Sequence, residues 1–170
     1  MIANEYAMID STIVRVHQHS AGAQKKNGED QDQAIGRSKG GLSTKIHATC
    51  DALGNPTSFH LTPGQAHDLD GADALLPSMQ AEALLADKAY DADARVRDKL
   101  EDRDIPAVIP SKANRKEAIE YDKHLYKARH LIENFFQKLK QYRAIATRYD
   151  KTALNFLGAI YLAASVILMH

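Results

Sequence analysis

Three acidic residues stand out because each occupies a position that the sequence predicts to be ordered. Asp10 lies in a run rich in β-branched and apolar residues, Asp87 ends a short apolar run, and Glu133 lies on a predicted helix. Mg²⁺ and Mn²⁺ prefer hard oxygen ligands, and two such ions held by shared carboxylates can clamp the attacking and leaving oxygens of a phosphodiester. If the strands are neighbours and the helix packs beside them, the three carboxylates can form such a centre.

A single acid predicts little, because most of the 22 Asp and Glu residues are expected to be caps, turns or surface charges. Asp87 is more informative, since a carboxylate that closes an apolar run is costly to desolvate unless something binds it. Glu133 lies one helical turn after Arg129, and the same polar face carries Tyr126 and Lys140. The two cations could contact DNA phosphates or orient the acid.

The elements that must position these acids alternate between strands and helices. Residue patterns predict strands at 6–16, 83–87 and 105–110 and a hairpin made of 42–50 and 57–61. Helical spacing predicts helices at 68–79, 91–103 and 117–142. The resulting order, β-β-β-α-β-α-β-α, predicts an α/β fold in one domain spanning residues 1–170.

Two further segments have distinctive compositions. Residues 17–41 are polar and rich in glycine, so they are predicted to form a mobile loop. Residues 153–169 are strongly apolar and about as long as the shortest membrane spans. Asn155, Tyr161 and Ser165 interrupt this segment, and basic residues flank only one side. We therefore predict a helix packed on the protein core and no membrane partner.

The composition fits one globular domain: the 170 residues are 44% hydrophobic and 26% charged. Cys50 is the single cysteine, which excludes an internal disulfide and a multi-cysteine zinc site. His47, His60 and His67 lie on separate predicted elements without zinc-ligand spacing. Residues 1–7 lack the apolar stretch of a signal peptide, so a cytoplasmic protein is predicted.

Charge is segregated along the chain, although the net charge is zero. Residues 112–151 contain eleven Lys and Arg against five Asp and Glu, whereas residues 82–104 contain eight acids against five bases. A basic surface that approaches phosphates would give this pattern, and two ordinary solvated faces would give it too. Charge alone therefore leaves both interpretations open.

Several motifs resemble those of DDE-type transposases of bacterial insertion sequences. The spacing Tyr-x2-Arg-x3-Glu-x6-Lys of residues 126–140 is similar to the Tyr-Arg-Glu-Lys signature of one group of these enzymes. Residues 8–12, Met-Ile-Asp-Ser-Thr, and residues 86–91, Ala-Asp-Lys-Ala-Tyr-Asp, resemble the stretches around the family's first and second acids. Residues 36–47 are similar to a stretch between these two motifs, so the resemblance spans nearly the whole chain.

The resemblance implies a ribonuclease-H-like mixed sheet, with Asp10 on the first strand, Asp87 on the fourth and Glu133 on a helix after the fifth. These acids would be the catalytic residues and the ligands of two Mg²⁺ or Mn²⁺ ions, which activate water and then a DNA 3′-hydroxyl for in-line attack. The implied partners are DNA, at transposon ends and target, and further copies of the chain in a homo-oligomer. The residues expected to contact DNA are Tyr126, Arg129, Lys140, Arg37, Lys39 and Lys45.

Two departures from the family pattern leave alternatives open. Family members usually carry a helical DNA-binding region before the first acid, and its absence here favours either a decayed fragment or a split gene whose upstream frame encodes an N-terminal partner. Ala89 stands where glycine is common, which is tolerable unless the backbone needs a positive φ. A non-catalytic DNA-binding or regulatory product and a structure-specific nuclease are the other interpretations. The retained acids favour catalysis, and the basic helical signature favours a transposase.

Overall fold

A mixed sheet of seven strands forms the centre of the fold in the computed structural model, which describes residues 5–22 and 32–169. The strands are β1 (Ala7–Val16), β2 (Gly36–Ser38), β3 (Gly41–Cys50), β4 (Pro56–Pro63), β5 (Leu84–Leu85), β6 (Ala107–Val108) and β7 (Thr147–Arg148). The prediction of an α/β fold with a mixed sheet is therefore confirmed.

Strand β1 is central because it pairs on both of its sides. It is antiparallel to β3, from Met8 opposite Cys50 to Arg15 opposite Ser43, and parallel to β5 on the other side. Beyond β5 lies the edge strand β6, whereas β2 and β4 both pair with β3. The short strand β7 runs parallel to the end of β1.

The predicted hairpin is present as β3 and β4. Its turn is closed by Asp51, whose side chain accepts hydrogen bonds from the backbone N–H groups of Leu53 and Asn55. Gly54 adopts a φ of +83°, a conformation that residues with a Cβ rarely take. The turn residues recognised in the sequence therefore fix the register between β3 and β4.

Helices cover both faces of the sheet. They are α1 (Asp68–Leu75), α2 (Asp98–Glu101), α3 (Lys123–Tyr126), α4 (His130–Leu139), α5 (Arg143–Ala146) and α6 (Ala153–Leu168). A π-helical stretch, Asp93–Arg97, leads into α2, and short 3-10 turns occur at Gln18–Gly22, Leu76–Ser78, Lys88–Tyr90 and Lys127–Arg129.

Alternation along β1 divides the apolar core into two layers. Met8 and Val14 belong to the layer that contains α4 and α6, whereas Ala7 and Ile9 belong to the layer that contains α1. Side chains two positions apart on a strand point to the same face. Asp10 therefore faces the α4 layer.

Helix α6 contributes one side to this core. Phe156, Ile160, Ala163 and Ala164 are buried, whereas Leu162 is 69% exposed on the opposite side. No helix in residues 5–22 and 32–169 is both long enough and apolar enough to cross a membrane.

Several predicted boundaries differ from the structure for local reasons. The helix predicted from residue 117 begins at Lys123, because the Asp122 side chain caps the N–H groups of His124 and Leu125. The strand predicted at 105–110 shortens to β6, since Pro106 and Pro110 have no N–H to donate.

The segment predicted as a mobile loop, residues 17–41, is only partly described. It contains the 3-10 turn Gln18–Gly22 and strand β2, while residues 23–31 of that prediction lie outside the described residues. Strands β2 and β7 were not predicted, because segments of two or three residues carry too little alternation to be recognised. Asp87 consequently follows the fifth strand of the observed fold.

Candidate active site

Asp10 lies in the middle of the sheet, where its carboxylate is largely withdrawn from solvent. It stands opposite Ala48 of β3, and its Oδ1 accepts a hydrogen bond of 2.8 Å from the Ser11 N–H. Burial raises the pKa of Asp10 to about 6, against the opposing effects of Arg129 and the Ser11 N–H. The negative charges of Asp87 and Glu133 raise the pKa of Asp10 further.

Asp87 reaches the same region through the parallel pairing of β1 and β5. Met8 is in register with Leu85, and Asp10 and Asp87 each follow two residues later. The chain leaves β5 here, and the Asp87 carboxylate caps the 3-10 turn by accepting a hydrogen bond of 2.6 Å from the Ala89 N–H. Ala89 has no positive φ, so replacing the family's usual glycine requires no strained backbone.

Glu133 is held by the amphipathic helix α4. Ile132, Phe135, Phe136 and Leu139 are buried on one side, as their spacing predicts, and this leaves Glu133 on the accessible side. Its side chain is 50% exposed. A carboxylate in the first turn of a helix is also favoured by the partial positive charge of the backbone N–H groups there.

Arg129 connects the first and third acids. One guanidinium nitrogen, Nη1, donates to Asp10 Oδ2 at 3.3 Å, and the other, Nη2, donates to Glu133 Oε1. The guanidinium carbon also lies 5.8 Å from the centre of the Tyr126 ring. Asp10 and Glu133 therefore lie on the same side of the sheet, close enough to share one cation.

The site suits a hard divalent cation in donor chemistry, because its acceptors are carboxylate oxygens. Asp10 and Glu133 already share a positive charge, and Asp87 is near enough to affect the pKa of Asp10. Throughout the part of the chain that the structure describes, no three acidic, His or Cys side chains form a ready-made metal-binding group. In this arrangement the Arg129 guanidinium bonds to two of the three carboxylates.

The residues predicted to contact DNA fall into three groups. Tyr126 and Arg129 lie beside the acids, and Lys140 is exposed at the opposite end of α4. Arg37 and Lys39 are exposed in and after β2. None of these five is buried in the core.

Lys45 is different, because it is buried and faces the α1 layer. Its ammonium group donates to Asp68 Oδ1 at 2.9 Å and to the Ala66 carbonyl oxygen at 2.6 Å. These bonds hold the cation inside the protein, so they offer no support for its predicted DNA contact, which stays a prediction. Alternation along β3 places odd-numbered side chains on this face, which the family motif alone did not reveal.

Asp91 is a positioning residue that the sequence interpretation missed. It is the first residue of the helix predicted at 91–103, but it is 4% exposed and bonded to Arg97, to Arg115 and to the Lys112 N–H. These bonds tie the turn that carries Asp87 to the segment after β6. Its place in the motif of residues 86–91 was the one available signal.

Comparison with known proteins identifies the family. Residues 5–168 match the family described as the transposase DDE domain. A putative transposase for insertion sequence element IS6501 from Brucella ovis is 39% identical over 127 residues, which are 74% of this chain and 98% of that protein.

Solved structures give weaker likenesses. The Mos1 mariner paired-end complex with Mn is similar over 97% of this chain and 54% of that chain, with 15% identity and a TM-score of 0.41. The Mos1 transposase paired-end complex with the left transposon end is similar over 81% of this chain and 55% of that chain, with 12% identity and a TM-score of 0.35. This chain thus spans about half the length of these structures. Because the family match extends over nearly all of its residues, the chain belongs to the transposase DDE domain family.

Proposed function

We propose that this chain cleaves and joins DNA strands at the ends of an insertion sequence, with Asp10, Asp87 and Glu133 binding two Mg²⁺ or Mn²⁺ ions. The observation that carries the proposal is the grouping of the acids: Asp10 and Glu133 bond to one guanidinium, and Asp87 follows the neighbouring parallel strand in register. Family membership supports the same reaction.

Each acid would be held in place for metal binding by the secondary-structure element that carries it. Asp10 is fixed by β1 and by the Ser11 N–H, Asp87 by its cap on the following turn, and Glu133 by the packed side of α4. When bound, the metal ions would polarise the scissile phosphate and lower the pKa of the attacking water or 3′-hydroxyl. Strand β1 at the centre, flanked by β3 and β5 with α4 beside it, supports assignment of the sheet to the ribonuclease-H-like class.

DNA would approach from the accessible side of α4. Tyr126, Arg129 and Lys140 advance along that side, and Arg37 and Lys39 supply two further exposed cations. Contacts between Lys or Arg side chains and DNA phosphates give a DNA affinity that falls as the salt concentration rises. This affinity does not depend on the base sequence. The proposal includes more than one copy of the chain on the DNA, as the family resemblance implies.

Cleavage of DNA carrying the element's own terminal sequences tests this function. We expect Mg²⁺- or Mn²⁺-dependent strand cleavage by the wild-type chain and a loss of at least roughly 100-fold in Glu133→Gln, since a neutral amide keeps the shape but is a poor ligand. DNA affinity measured without divalent ions should stay near the wild-type value. The matched control is Glu101→Gln, because Glu101 is an exposed acid on α2, which packs in the other core layer.

Two outcomes would contradict the proposal. Equal cleavage by the wild type and Glu133→Gln would exclude Glu133 from the metal site. Cleavage that ignores the terminal sequences and never yields a joined product would instead favour a structure-specific nuclease.

A further inference from the structure

We propose that Arg129 is a latch that holds the metal site closed: its guanidinium occupies the position between Asp10 and Glu133, and a divalent ion must displace it to bind. This inference rests on the proposed function, because it assumes that these carboxylates are metal ligands. It adds that the Arg129 guanidinium and a divalent ion compete for the Asp10 and Glu133 carboxylates, which the proposed function itself does not require.

The contacts of Arg129 are those of a cation seated between two ligands. Its two terminal nitrogens each donate to a different carboxylate, and its side chain is only 12% exposed. Among the described residues, the other hydrogen bond to the Asp10 carboxylate comes from the Ser11 N–H. Arg129 is therefore the main source of positive charge for Asp10 and Glu133 in this arrangement.

A metal ion and the guanidinium cannot both use these oxygens in the same way. A guanidinium has five N–H donors and no lone pair, so it can neutralise a carboxylate but cannot join a metal's coordination shell. A divalent ion that enters also repels the positive charge of Arg129 at short range. Occupancy by one cation consequently disfavours the other.

A displaced Arg129 guanidinium would remain near an aromatic ring that it already contacts. It lies in the 3-10 turn Lys127–Arg129, just before α4, and the Tyr126 ring is already 5.8 Å from its guanidinium carbon. An aromatic face can stabilise a displaced guanidinium, and a DNA phosphate can bind it more strongly through paired hydrogen bonds. Metal binding would thus release a phosphate ligand at the site, so metal and DNA should strengthen each other's binding.

The decisive measurement is Mn²⁺ affinity of the metal-free, full 170-residue chain, determined by titration calorimetry without DNA. We expect Arg129→Ala to bind Mn²⁺ about 5- to 10-fold more tightly than the wild type, because the competing cation is gone. Lys138→Ala is the matched control, since Lys138 is an exposed cation in the last turn of the same helix, away from both acids, and the affinity of this variant should equal that of the wild type. Unchanged or weaker Mn²⁺ binding by Arg129→Ala would overturn the latch.

Asp10→Asn separates failure of the latch from failure of the proposed function. If this variant binds Mn²⁺ as well as the wild type does, the assigned metal site is wrong, and the latch proposal, which depends on that site, is wrong too. If Asp10→Asn loses Mn²⁺ while Arg129→Ala fails to gain affinity, only the latch is wrong.

A second variant covers the case in which Arg129→Ala does not fold, as judged by circular dichroism. Arg129→Lys keeps one positive charge but lacks the planar fork that spans two carboxylates. It should bind Mn²⁺ with an affinity between those of the wild type and the alanine variant. Wild-type affinity in a folded Arg129→Lys chain would overturn the latch.

Duplex DNA binding measured with and without Ca²⁺ provides an independent readout. Ca²⁺ also prefers oxygen ligands, so it should displace the guanidinium as Mn²⁺ does. We expect Ca²⁺ to increase DNA affinity more for the wild type than for Arg129→Ala. An equal increase in both chains would count against release of Arg129 to a phosphate.

Discussion

Lys45 and Asp68 form an ion pair of 2.9 Å between strand β3 and helix α1, in the core layer opposite to the one that Asp10 faces. The Ser11 hydroxyl donates to the same Asp68 oxygen at 2.6 Å. Burial alone would raise the pKa of Asp68, but these bonds from Ser11 and Lys45 lower it overall. The network therefore holds β1 and β3 to α1 immediately behind the candidate active site.

Replacing Lys45 by Met should consequently destabilise the protein without altering DNA contacts. We expect a loss of about 1–3 kcal/mol in the free energy of unfolding, because Asp68 loses a charged donor. The salt dependence of DNA binding should not change. The control is Lys39→Met: this exposed lysine should affect stability by less than about 0.5 kcal/mol and lower the salt slope by about 0.9.

Urea unfolding and DNA binding over a salt series measure both quantities. A Lys45→Met chain of normal stability with a reduced salt slope would contradict this prediction and support the DNA contact expected of Lys45.

Asp91 gives a prediction about pH. Burial alone would raise the pKa of Asp91, but hydrogen bonds from Arg115, from the Lys112 N–H and from Arg97 hold it well below its usual range. Because the folded-state pKa lies below the unfolded value of about 3.9, this stabilisation is complete above that pH and is lost as the pH falls toward the folded-state pKa.

Asp91→Asn should therefore lose about 2–3 kcal/mol of unfolding free energy at pH 7, because two partly buried cations lose their buried partner. The difference from the wild type should narrow below about pH 4. Asp93→Asn is the matched control: Asp93 also pairs with Arg115, but its side chain is 62% exposed, so the loss should stay below about 1 kcal/mol. Equal losses in the two variants, by urea unfolding from pH 7 to pH 3, would remove Asp91 from its assigned role.

The features that the sequence predicted well depend on local spacing. The buried stripe of α4 follows from residues three and four positions apart, and the same spacing places Arg129 one turn from Glu133. The hairpin follows from turn residues such as Gly54 between two alternating runs. Such patterns need no knowledge of the rest of the chain.

The contacts that the sequence did not predict join distant positions. Arg129 and Asp10 are separated by 119 positions, and their hydrogen bond depends on how α4 packs against β1. The pairing of Lys45 with Asp68 and the bond of Asp91 to Arg115 are likewise set by tertiary packing. Neighbouring residues in the sequence carry no signal for these partners.

Arg148 yields a prediction about a buried cation bonded to neutral oxygens. It is fully buried, donates to Thr44 Oγ1 and to the Asp150 carbonyl oxygen at 2.9 Å each, and its guanidinium carbon lies 5.1 Å from the centre of the Phe156 ring. Burial lowers the pKa of Arg148, with Asp150 opposing. These contacts join β7, β3 and α6.

Arg148→Lys should cost about 2–4 kcal/mol of unfolding free energy, although charge is kept, because one ammonium group cannot replace the several directed N–H donors. Arg143→Lys provides the control, since Arg143 is exposed on α5 and its replacement should change stability by less than about 0.5 kcal/mol. Chemical unfolding of both variants measures the difference. An equally small effect at Arg148 would show that its buried bonds contribute little.

The last prediction concerns the two sides of α6. Phe156 is 0% exposed and packs in the core, whereas Leu162 is 69% exposed on the other side of the helix. Phe156→Ala should reduce the free energy of unfolding by about 3–5 kcal/mol, because it removes buried apolar area and leaves a cavity. Leu162→Ala should change it by less than about 0.5 kcal/mol, since this side chain gains little from folding. Urea unfolding of the 170-residue chain at several protein concentrations tests both values. A large, concentration-dependent loss in Leu162→Ala would contradict the assignment, because it would mean that another copy of the chain covers this side of α6.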